Sequence, residues 1–130
     1  MHELVKQEIE VLKDLDSIHT GLSNTVLALR VLTNQAINAY ITAGPEHGNK
    51  LLIRCAATVE GHFQATGFQY GVASYAPVND QGKFYLLLDL AVRRTEEALS
   101  RGSVGDAKSQ LMTILSIIYG CLREFGSKNG

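Results

Sequence analysis

The chain has no tryptophan, two prolines, two cysteines and no apolar run longer than a few residues. Without about 20 consecutive apolar residues no transmembrane helix can be drawn. Charges recurring through Met1-His2-Glu3-Leu4-Val5-Lys6 leave no apolar segment for a signal peptide. Cys55 and Cys121 fall within or beside apolar helical stripes, so they read as small buried hydrophobes in a reducing compartment, and the cytoplasm is the expected location. Charge is scarce and nearly balanced, 12 basic against 13 acidic residues, which gives no electrostatic reason to expect nucleic acid or an anionic membrane surface. There is no Gly-Lys-Ser or Gly-Lys-Thr phosphate loop, and no Glu-x-x-His pair of the kind that builds metal sites inside helical bundles.

What the chain does have is helical periodicity. The strongest signal runs from Phe84 to Phe125. Phe84, Leu87, Leu88, Ala91, Thr95, Ala98 and Leu99 make one stripe, and Val104, Ala107, Leu111, Ile114, Leu115, Ile118, Leu122 and Phe125 make another. Between them Arg101-Gly102-Ser103 supplies a left-handed stop and a capping serine, and Asp106 completes a Ser-x-x-Asp capping box. A first amphipathic helix is expected from about His2 to Ile18, on Val5, Ile9, Leu12, Leu15 and Ile18. A second, capped by Ser23, Asn24 or Thr25, runs to about Ala43. Gly44-Pro45-Glu46 stops it and starts a third, on Leu51, Leu52, Cys55, Ala56, Val59 and Phe63, to about Thr66.

Residues 67–77 hold glycines, Phe68, Tyr70, Tyr75 and Pro77 without a helical period, and are expected to form a loop whose aromatics roof the core or rim a groove. Asn79 and Asp80 offer an N-cap to the next helix. The fold class is therefore all-α, an antiparallel bundle of four long helices in two hairpins plus an amphipathic N-terminal helix, forming one domain over residues 1–125 with a flexible tail at 126–130. Laying Gly44 on Gly102 places Leu29 on Leu87, Leu32 on Leu90, Ile41 on Leu99, Ile53 on Leu111 and Val59 on Ile117, a faint echo that the shared demand for apolar residues largely explains.

No set of residues points to catalysis, a metal or a cofactor. His2, His19, His47 and His62 are read as solvated or structural. Glu60 and His62, two apart, point to different sides of a helix, and Asp89 either faces solvent or makes a partly buried contact with a neighbouring helix.

With the helices placed, YLLLDLAVRRTEEALSRGSVGDAKSQLMTILSIIYGCLREF resembles the closing pair of the flagellar export chaperone family that binds flagellin. Leu86 to Ala98 stands for the leucine-rich helix, Gly102 to Asp106 for the break and Leu111 to Glu124 for the final helix of Leu and Ile pairs. The segment from Asn24 to Phe63 lies where the family has its first long hairpin. The chain departs from the family by opening with a full amphipathic helix and by lacking a Leu-Tyr-Asp-Gly-like signature at Leu29-Arg30-Val31-Leu32.

The resemblance implies a chaperone or adaptor of protein export and the flagellum, which holds an amphipathic segment of flagellin or another exported protein in apolar grooves. The candidate partner-binding residues are Leu29, Leu32, Ala36, Tyr40, Leu87, Leu90, Ile114, Ile117 and Ile118, with the first helix as a displaceable cover. The alternative is a self-assembling homodimeric bundle, structural or regulatory, joined through the first helix or the Ile117-Ile118-Tyr119 face.

Overall fold

The computed structural model describes residues 2–73, 75, 78 and 80–126. The expected tail lies almost wholly outside these, as do Pro77 and Asn79. Five helices form and no strand does among the described residues: α1 (Glu3–Asp14), α2 (Leu22–Ala43), α3 (Pro45–Thr66), α4 (Gln81–Ser100) and α5 (Val104–Phe125). The expected all-α bundle is what the chain adopts.

Helix ends depart from expectation in instructive ways. α1 stops at Asp14 rather than Ile18, because Asp16 takes the left-handed conformation and the Ser17 N–H donates back to the Leu12 carbonyl, 2.8 Å away. Asp and Asn tolerate that backbone better than other side chains. Gly21, not Ser23, Asn24 or Thr25, caps α2. The Thr25 hydroxyl instead meets the carbonyls of His19 and Gly21 from inside the helix. Ser103 caps α5 without a side-chain bond, so the expected capping box does not form. The break before it rests on Gly102, at a φ of 73°, with the Ser103 N–H donating to the Ala98 carbonyl at 2.8 Å. His2 and Asp80 do cap with side chains, accepting from the N–H of Leu4 and Gly82.

Four helices close a ring in which α2 touches α3, α3 touches α5, α5 touches α4 and α4 touches α2, while α1 lies on α3. Arg30 pairs with Glu96 while Tyr40 stacks on Tyr85, so α2 and α4 run antiparallel. Asn49 bonds to Phe125 while Glu60 meets Tyr119, so α3 and α5 do too. α3 and α4 therefore point the same way, and the connection between them climbs the bundle, its described residues lying along α5. Phe68 lies under Lys108 in its first turns, and the Tyr75 carbonyl accepts from Arg123 near its end.

The two hairpins share one burial pattern. Displaced by 59 residues, buried Thr25, Val26, Leu29, Thr33 and Ala36 fall on buried Phe84, Tyr85, Leu88, Val92 and Thr95. Leu52, Cys55, Ala56, Val59 and Gly61 fall likewise on Leu111, Ile114, Leu115, Ile118 and Gly120. The register is one residue beyond the one that superposes Gly44 on Gly102, which would set fully buried Leu29 on half-buried Leu87. The covering segments correspond as well. Ile18 packs over Gly61 and Tyr75 over Gly120, each filling the space that a Cβ would occupy.

α3, rather than the hairpin of α4 and α5, is the most enclosed element. Every residue from Cys55 to Phe63 is buried, because α1, α2 and α5 all pack on it and small residues such as Ala56, Ala57 and Gly61 admit them closely.

Candidate functional site

α1 buries Val5, Ile9 and Leu12 against the core, and its other apolar residues, Leu4 and Val11, turn toward a neighbouring groove. The opposite wall is the first half of α3, with Ile53 between Lys50 and Arg54. The closed end is Leu122 and Phe125 of α5. The groove encloses about 710 Å³. From Pro45 to Arg54 a helix rises about 14 Å, enough for two to three turns of a second helix alongside. Its rim is charged, with Arg54 donating to Glu8 at 3.0 Å.

Asn49 fixes the closed end. Its amide nitrogen donates to the Phe125 carbonyl at 3.0 Å, and its oxygen accepts from Gln81 and Tyr85. One buried side chain thus ties α3 to both α4 and α5. Burial raises the Tyr85 hydroxyl well above the usual phenol range.

A second cavity, about 490 Å³, opens between α3, α5 and the climbing segment, and at its floor lies Glu60, 3% exposed. Tyr70 and Tyr119 each donate a hydroxyl to one of its two oxygens. Burial first, and then the hydrogen bond to Glu60, push both phenols upward and hold them protonated. His62, two residues on in the same helix, is also buried and serves structure. Its Nδ1 lies 3.1 Å from the His19 carbonyl and 3.2 Å from the Thr25 hydroxyl, pinning the chain that leads into α2. Glu60 and His62 do point in different directions, yet both are interior because α3 is covered on every side there.

Neither cavity is built from the nine residues expected to bind a partner. Leu29, Ala36, Ile114, Ile117 and Ile118 are core, out of a partner's reach while the bundle is closed. Leu32, Tyr40 and Leu87 are half-buried against that core, and Leu90, 43% exposed, is on the outside of α4. Of the Ile117-Ile118-Tyr119 face expected for self-association, Ile117 and Ile118 are buried, and Tyr119 is half-buried with its hydroxyl on Glu60. Apolar stripes coincide with the core, since a groove and a core demand the same residue types at the same spacing. The signal that marks the groove is the second, weaker edge of α1 formed by Leu4 and Val11.

Asp89 takes the partly buried role. Arg30 of α2 bridges Asp89 and Glu96 of α4, at 2.8 Å to each, and Arg93 meets Asp89 from the next turn. The Glu96 bond is the main reason that the Arg30 guanidinium is held above its ordinary value. The climbing segment's aromatics roof the core, with Phe68 and Tyr70 both against Phe63. Among the described residues no three His, Cys, Asp or Glu side chains converge, and no helix is long and apolar enough to cross a membrane. Burial pushes the thiols of Cys55 and Cys121 up to about 12.

No family model matches this chain, and no curated protein or solved structure is detectably similar to it.

Proposed function

We propose that this chain is a protein-binding chaperone or adaptor that holds an amphipathic helix of an exported protein in the groove beside α1. The observation that carries this is the groove itself: apolar side chains from three helices, Leu4, Val11, Ile53, Leu122 and Phe125, set among charged ones over the length of two to three helical turns. The sequence resemblance supplies the client, the C-terminal segment of flagellin, held in the cytoplasm before export. α1 stays seated, since its apolar face is already committed to the core, and it forms one wall of the site rather than a cover to be expelled.

Calorimetric titration with the C-terminal segment of flagellin from the organism that encodes this chain tests it. Binding is expected to be exothermic with a negative heat-capacity change, as for a segment that folds on an apolar surface. Val11→Glu, at a position 47% exposed in the unliganded fold, should weaken binding at least tenfold without unfolding the bundle. Absence of heat, or affinity unaltered by Val11→Glu, would overturn the assignment.

A further inference from the structure

We propose that the cavity over Glu60 is a binding site for an organic ammonium group, such as a lysine side chain or a free alkylamine. Glu60 is a carboxylate taken out of water, which is costly unless its charge is answered. Two phenol hydroxyls answer part of it, one on each oxygen. No basic side chain forms an ion pair with it among the described residues.

Two basic side chains do line the cavity and neither forms an ion pair with Glu60: the His2 ring stacks on Tyr119, centroids 6.2 Å apart, and Arg123 turns to other partners. Arg123 donates to Glu124 and to the Tyr75 carbonyl. The His2 Nδ1 accepts from the Leu4 N–H. Among the described residues the Glu60 carboxylate thus has hydroxyl partners and no ion-pair partner, beneath walls formed in part by Tyr70, Tyr75 and Tyr119. A carboxylate among aromatic rings is the chemistry that selects an ammonium, through one short charge-assisted bond and attraction to the rings. A guanidinium fits less well. Each carboxylate oxygen already holds a hydroxyl and keeps one lone pair; a bidentate fork needs both of these on one edge, whereas an ammonium needs only one. The comparison with the second hairpin agrees, since the residue 59 places on from Glu60 is Tyr119, and the charge is peculiar to α3.

The test is titration of the full chain, followed by amide chemical shifts, with n-butylammonium and with the neutral isostere n-butanol at constant ionic strength. Saturable shifts at residues 60–61, 70–73 and 119–120 with the ammonium alone are expected. Glu60→Gln, which keeps the shape while one tyrosine hydroxyl turns from donor to acceptor, should weaken them at least tenfold. Equal response to both probes, no response, or unaltered binding by a folded Glu60→Gln would overturn the proposal. Should Glu60→Gln fail to fold, Tyr119→Phe keeps the ring and frees a lone pair; it is expected to bind no more weakly than the native chain, and loss of binding would count against the carboxylate as anchor. Nα-acetyl-lysine methylamide binding as well as butylammonium assigns a protein side chain as the source, and butylammonium alone a free amine.

Discussion

The two hairpins bury the same positions and fill them differently. Where the α4 and α5 hairpin has Phe84, Val92, Ile117 and Cys121, the α2 and α3 hairpin has Thr25, Thr33, Thr58 and His62. Asn49 and Glu60 are also buried in the first hairpin, against only Thr95 and Ser116 among the polar residues of the second. Apolar residues would stabilise these places more simply, because each buried polar group must find partners to offset its lost hydration. The second hairpin is the scaffold. The first carries the polar groups that pin α1 and its linker, close the groove at Asn49 and place a carboxylate under the climbing segment.

That difference can be broken or sharpened by substitution. The largest effect should come from positions where the halves agree. Leu29→Ala and Leu88→Ala, both fully buried, should each cost about 3 to 4 kcal/mol in chemical denaturation, and a cost near zero at either would remove it from the shared core. Gly48→Ala should cost about 1 to 3 kcal/mol, since its Cβ would strike the Tyr85 hydroxyl and Tyr40, whereas the corresponding residue of the second hairpin is already Ala107. Thr33→Val installs the residue found at Val92 and removes only a long contact with the Cys55 thiol, 4.0 Å; stability should move by less than about 1 kcal/mol and in the favourable direction.

The thiols give no signal at neutral pH and act only in alkali. In the unfolded chain they ionise near 9 and in the fold near 12, so they favour the folded state less as pH rises from about 9 to 12, and stability should decline across that window. A thiol reagent at pH 8 should modify Cys55 and Cys121 only at the rate at which the bundle opens.

Much of this fold was legible as periodicity. The stripes of α4 and α5, the stop and start at Gly44-Pro45 and the break at Gly102 depend on local physics, and they stand where expected. Local rules failed where tertiary contacts outbid them. Thr25 could cap a helix, but inside α2 its hydroxyl meets His62, 37 residues away. Asp89 looked like an interruption until Arg30 arrived from another helix. The candidate site was hardly legible at all, because apolar spacing does not say which apolar residues remain uncovered after packing. Glu60 was hidden for a related reason: the burial of α3 on all sides depends on three neighbours whose placement no local window contains.

Amide hydrogen exchange of the chain with and without the flagellin segment tests the central claim most directly, that the groove between α1 and α3 is the working face. Added protection confined to α1, the first two turns and a half of α3 and the end of α5 is the predicted result. Protection on the outer faces of α2 and α4, around Val31 and Leu90, or none anywhere, would contradict it.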